Sequence, residues 1–151
     1  MLLPPARWWI PTCLLLAIAS EATASGQWME YDNRLWGYRL DIPTHRLPVQ
    51  EQYPRGDGRR FHSHDGRAEL LVHARWQDED IGPCIPDRSA GPAKAGVQRS
   101  QQRGEDARGH WQRHWLASPA LCVELSLRYP ADQAEAYAPD IVRIIDSLQV
   151  Y

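Results

Sequence analysis

Arg59-Arg60-Phe61-His62-Ser63-His64-Asp65-Gly66-Arg67-Ala68-Glu69-Leu70-Leu71-Val72-His73-Ala74-Arg75-Trp76 is the stretch on which the fold turns. Two strand-like runs flank Asp65-Gly66, a dipeptide favoured in two-residue type I′ hairpin turns. Such a turn sets His64 opposite Arg67, His62 opposite Glu69 and Phe61 opposite Leu70. Side chains alternate between the two faces of a strand, so Phe61, Ala68, Leu70, Val72 and Ala74 share an apolar face that must cover a core. His62, His64, Glu69 and His73 fall on the opposite face.

Working outward, Leu121, Val123, Leu125, Leu127 and Tyr129 alternate strictly with Cys122, Glu124, Ser126 and Arg128, which predicts a half-buried strand. Strands are also expected at Trp28–Tyr31, Leu35–Ile42, Val97–Arg103 and His110–Ala117. Residues 44–58 and 77–96 read as loops, broken by prolines and glycines. After Pro130 the pattern becomes helical: Tyr137, Ile141, Ile144, Ile145 and Leu148 make one apolar stripe. Asp132 and Glu135 suit a capping box, and Pro139 suits a helix start. The expected class is α+β, an antiparallel β-sheet with a C-terminal helix packed on it.

The N-terminus predicts the compartment. Arg7, the apolar run Cys13–Ala19 and the small residues Ala22-Thr23-Ala24 have the layout of a signal peptide over 1–24, leaving 25–151 as a single domain. The apolar run is too short for a membrane span, which needs about 20 apolar residues. A periplasmic or secreted protein without a membrane anchor is therefore expected. A net charge of −2 offers no basic footprint for nucleic acid. Cys84 and Cys122 remain after the leader, and an even count in an oxidising compartment predicts a disulfide. It would close a loop of roughly 40 residues, worth about 4 kcal/mol by chain entropy.

Two clusters could carry function. His62 and His64 share a face with Glu69 and His73, a donor set that suits zinc or copper, or else an ordinary polar hairpin face. Trp111, Arg113 and Trp115 share the other candidate face, and aromatic and arginine side chains are common anchors of protein interfaces. The plainer alternative sends the tryptophans into the core and His110 and His114 to water. No serine stands in a nucleophile elbow and Asp78-Glu79-Asp80 lacks the rest of a calcium loop, so an enzyme is not expected. No cofactor is implied.

The order of turns and core positions resembles a known family. Tyr31-Asp32-Asn33, Gly37-Tyr38, Ile42-Pro43, Asp57-Gly58, Phe61 and Asp65-Gly66 precede Tyr129-Pro130, Tyr137, Ile141-Val142 and Ser147-Leu148. Over residues 28–148 this order is similar to the PsbP-like (PsbP/Mog) α/β/α sandwich of small exported bacterial proteins. The resemblance implies a non-enzymatic scaffold. Its members include photosystem accessory proteins, a nuclear-transport factor, uncharacterised envelope proteins and immunity proteins that block type VI secretion toxins. No shared active site can be carried over, and the Pro/Gly-broken segment 80–95 departs from a helix usual there. The functional expectation is a periplasmic protein that binds another protein, as an immunity or inhibitor protein in its sharpest form. The alternatives are a metal or small-ligand carrier using the histidine face, and a general envelope-maintenance factor.

Overall fold

A computed structural model describes residues 27–77, 83–85 and 96–151. The expected leader and most of the expected loop over 77–96 lie outside the described residues. Among the described residues, nine strands and one α-helix follow in the order β1 Trp28–Asn33, β2 Tyr38–Pro43, β3 Val49–Gln52, β4 Gly58–His62, β5 Glu69–Trp76, β6 Gln98–Asp106, β7 Gly109–Ala117, β8 Leu121–Tyr129, α1 Ala134–Ser147 and β9 Gln149–Val150. The class is α+β, with antiparallel strands and a C-terminal helix.

The strands divide into two sheets. β3-β4-β5-β8-β7-β6 form the large one and β1-β2-β9 the small one. Phe61, Leu70, Val72, Val123, Leu125 and Leu127 from the large sheet meet Tyr38, Leu40 and Ile42 from the small sheet in one core. Tyr137, Ile141, Ile144 and Leu148 bring the helix into that same core, as their spacing predicts.

The hairpin keeps the expected register, with Phe61 opposite Leu70 and His62 opposite Glu69. Its tip differs. Ser63 N–H donates to the Ala68 carbonyl, Gly66 N–H donates to the Ser63 carbonyl, and Gly66 turns left-handed, at φ 67°. The connection is thus longer than the two-residue turn, and His64 and Arg67 are not a ladder pair. Side-chain bonds select it: the Asp65 carboxylate accepts from Ser63 Oγ and Arg67 N–H, and Ser63 Oγ accepts from Ala68 N–H. Serine and aspartate side chains compete for backbone groups in this way.

Other boundaries shift for identifiable reasons. Asn33 was expected to end the first strand, yet it is buried inside it. Its amide donates to the Tyr31 and Tyr38 hydroxyls and the Gly56 carbonyl, and its Oδ1 accepts from Trp36 N–H. A buried polar group is tolerated when so fully bonded. β3 lies within the expected loop over 44–58; its Val-Gln-Glu-Gln has no buried residue to announce it. β6 continues through the expected connection to Asp106. At the helix the expected capping box is not formed, because Asp132 lies within a 3-10 turn, Ala131–Gln133, and Gln133 takes the N-cap position; Asp132 pairs with Arg67. Pro139 sits inside α1 rather than at its start; lacking an N–H, it leaves one helical bond unmade.

Two arginines fasten the helix. Arg46 donates to Asp140 at 2.9 Å and to the Ala136 carbonyl at 2.8 Å, while Arg99 of β6 donates to the Leu148 carbonyl at 2.8 Å. The second contact places a cation where the helix carbonyls end, which favours positive charge. No helix among the described residues is long and apolar enough to cross a membrane.

Candidate functional site

Alternation sorts the large sheet into two unlike faces. On β5 the residues Leu70, Val72 and Ala74 are buried in the core, and on β8 so are Val123, Leu125 and Leu127. The intervening residues point away from it. Across this outer face, strand register aligns His62, Glu69, Arg128 and Trp111 in one row. The next row runs Arg60, Leu71, Ser126, Arg113, and the one beyond runs Gly58, His73, Glu124, Trp115.

Arginines and carboxylates on and beside these rows pair with one another. Arg60 donates to Glu69 at 2.6 Å and to Glu51 at 3.2 Å, and Arg128 grips both oxygens of Asp106 at 2.7 and 2.9 Å. The Arg128 guanidinium, then the Arg108 N–H, hold the Asp106 carboxyl below the usual carboxylate range. At the end of the face a cleft of about 670 Å³ opens between the hairpin tip, the β6–β7 turn and the start of the helical segment. Arg60, Arg67, Arg108 and Arg128 line it, interleaved with Glu69, Glu105, Asp106 and Asp132.

The opposite end of the face is covered. Cys84 and Cys122 are joined with sulfurs 2.06 Å apart, as their count predicts. With Ala117 and Trp115 (4% exposed) they form a second small core against which Ile85 packs. Trp115 therefore serves packing. Trp111 is half-buried and Arg113 exposed, with the Arg113 guanidinium 5.9 Å from the indole centroid of Trp111, within range of a cation–π contact. Gly104 of β6 makes room for that indole, since a Cβ there would lie 2.6 Å from Trp111 Cζ2.

The histidines of β7 go the other way. His110, Gln112 and His114 share the side of Leu116, towards the helix. The alternative of tryptophans in the core with His110 and His114 in water holds for Trp115, which is buried, but not for His114, which is buried as well, nor for half-buried Trp111 and His110. His114 is 7% exposed and bonds Gln112 Oε1 at 3.2 Å, while Gln112 Nε2 donates to the Tyr129 hydroxyl at 2.9 Å. Burial, then the Arg99 charge, push the His114 pKa below its ordinary 6.5, so the ring is neutral near neutral pH.

The four expected metal ligands do not converge. Glu69 is occupied by Arg60, whose side chain shares its face from two residues before His62. His62 bonds the Ser63 carbonyl through Nδ1 and lies 3.4 Å from Glu51. His64 is exposed in the hairpin tip, and His73 stands opposite Gly58, stacked on Tyr53. Among the described residues no group of three His, Cys, Asp or Glu side chains could hold a metal ion. Reasoning from sequence missed Arg60 and Arg128 as members of this face; the hairpin register and the alternation of β8 were the signals that could have found them.

Fold and site together define a small antiparallel α+β protein, joined by one disulfide, that presents a charged sheet face with a tryptophan–arginine pair. No family model matches the sequence, and no curated protein matches it. Solved structures are similar in shape. The solution structure of cyanobacterial PsbP (CyanoP) from Synechocystis sp. PCC 6803 aligns with a TM-score of 0.49 and 12% identity, covering 86% of this chain and 96% of that one. A crystal structure from Bacteroides thetaiotaomicron VPI-5482 aligns with a TM-score of 0.43 and 13% identity, covering 83% of this chain and 48% of that one.

Proposed function

We propose that this is an exported, non-enzymatic protein that binds another protein in the periplasm, with an immunity or inhibitor role as the sharpest version. The observation that carries the reading is the pairing of Trp111 with exposed Arg113 on the face that neither helix nor small sheet covers. Aromatic and arginine side chains dominate the energetics of protein interfaces, and the surrounding charged side chains of both signs would fix orientation and exclude wrong partners. The signal-like leader and the Cys84–Cys122 pair support an oxidising compartment. The PsbP-like order of turns and core positions supports a scaffold without catalytic machinery.

The test is retention of a partner from periplasmic extract by the tagged protein, run beside the Trp111→Ala/Arg113→Ala double variant. A near-stoichiometric partner held by the wild type and lost by the variant is the expected result. Equal retention by both would reject this face as the contact surface.

A small-ligand carrier is the second reading, favoured by the cleft of about 670 Å³ lined by both arginine and carboxylate. That mixture suits a small molecule bearing both charges. Calorimetric titration with free amino acids and short peptides would show saturable heat that Arg128→Ala abolishes; no heat would set the reading aside.

A further inference from the structure

The large sheet ends in two edge strands, β3 and β6, and the two are built differently. A sheet edge presents unpaired N–H and C=O groups, and proteins blunt it with short strands, proline, lysine or a bulge. β3 has four residues, with Pro48 immediately before it and Pro54 soon after. β6 has nine residues and neither proline nor lysine, and it pairs with β7 from Gln98 to Asp106 without a bulge. Every residue of β6 is exposed or half-buried. Its charges are also segregated: Arg99 and Arg103 come before Glu105 and Asp106.

We infer that the β6 edge is the seam of a twofold dimer in which a second copy of this chain adds its own β6 antiparallel to the first. Placing the twofold axis on Gln102 sets Arg99 opposite Glu105, Gln98 opposite Asp106, Ser100 opposite Gly104 and Gln101 opposite Arg103. Each pair has the same parity, so its members lie on the same face of the joined sheet. Arg99 and Glu105 become a cross-strand charge pair that the axis repeats, while Arg103 and Asp106 each face a glutamine, so no like charges meet across the seam. Arg99 meets the seam as an exposed side chain already oriented by the Leu148 carbonyl, and among the described residues Glu105 has a distant contact of 3.8 Å to His110. Trp111 lies over Gly104, the residue that faces Ser100 of the second copy, so an indole flanks the seam at each end. Two six-stranded sheets then run on as one, with both Trp111–Arg113 pairs on the same side. The inference stands whether or not the protein-binding reading does.

Gln102 is exposed and lies on the axis, so any charge placed there meets itself. Sedimentation equilibrium of the purified protein over a concentration series should give twice the mass of one chain. Gln102→Lys and Gln102→Glu should each halve that mass, with circular dichroism and cooperative unfolding retained and the concentration dependence of the wild-type Tm lost. An equimolar mixture of the two variants should restore the dimer, because unlike charges then face each other. A wild-type protein that stays monomeric, or variants that stay dimeric, would overturn the proposal. Failure of the mixture to recover would overturn the register about Gln102. Protection of β6 amides that appears only on adding another protein would assign the edge to that partner instead.

Discussion

The two faces of the six-stranded sheet come from the same strands, residue by alternate residue, yet they are built on different physics. The core face gathers Phe61, Leu70, Val72, Val123 and Leu125, each without solvent exposure, under the helix and the small sheet. The outer face carries Arg60, Glu69, Arg113, Glu124 and Arg128, and among the described residues it is the Cys122 end that is covered, by the disulfide segment. Burial of apolar area supplies most of the stability of a domain, whereas exposed ion pairs contribute little each. The difference implies that substitutions on the core face change folding and those on the outer face change recognition.

The largest expected effect breaks the core face. Phe61→Ala removes a ring packed edge-on against Tyr31 at 5.5 Å and leaves a cavity, costing about 4 kcal/mol. Chemical denaturation would show it as a lower midpoint at unchanged slope. A loss below about 1 kcal/mol would mean that the two faces are not energetically distinct.

Next comes the one part of the outer side that behaves as core. Replacing both Cys84 and Cys122 with serine unties the segment that covers Trp115, and should cost up to about 4 kcal/mol. Trp115 should then become accessible to a fluorescence quencher. Unchanged quenching would show that its burial rests on the sheet alone.

The open part of the outer face should respond in the opposite sense. Trp111→Ala and Arg113→Ala are expected to change stability by less than about 1 kcal/mol. Each should weaken a bound protein partner by about tenfold or more, a loss of the size interface anchors show. Denaturation and affinity measured on the same samples separate the two effects, and a destabilised Trp111→Ala with unchanged affinity would return this residue to the core side of the comparison.

What could be read from sequence follows the same division. The core face was legible because its periodicity is enforced: a one-residue slip of β5 or β8 would expose an entire apolar row. The helix stripe was legible for the same reason, and Tyr137, Ile141, Ile144 and Leu148 all reach the core. The disulfide followed from counting. The outer face was only half legible, since alternation identifies which side chains share it but not what they bond. Glu69 was read as free to bind a metal, and it is held by Arg60. β3 and β9 escaped because their few residues form edge pairings that need no apolar pattern. For β7 the sequence leaves both faces open, because polar residues usually mark the wet side of a strand, whereas here His114 and Gln112 bond each other beneath the helix.

That exception gives the smallest predicted effect. His114 is a basic group on the core face whose pKa is pushed below 6.5 by burial and by Arg99. In the unfolded chain it titrates near 6.5, so below that pH the unfolded state binds the proton more readily than the folded state does. Its neutral form therefore supports the fold fully above pH 6.5, and that support declines as pH falls through 6.5 towards the lower folded value. His114→Gln keeps a polar side chain beside Gln112 but cannot take up a proton. Thermal unfolding followed from pH 7.5 to 5 should thus show a steeper loss for the wild type than for the variant. Parallel curves would mean that His114 gains a proton partner on acidification, and the polarity of this side of β7 would then belong with the outer face after all.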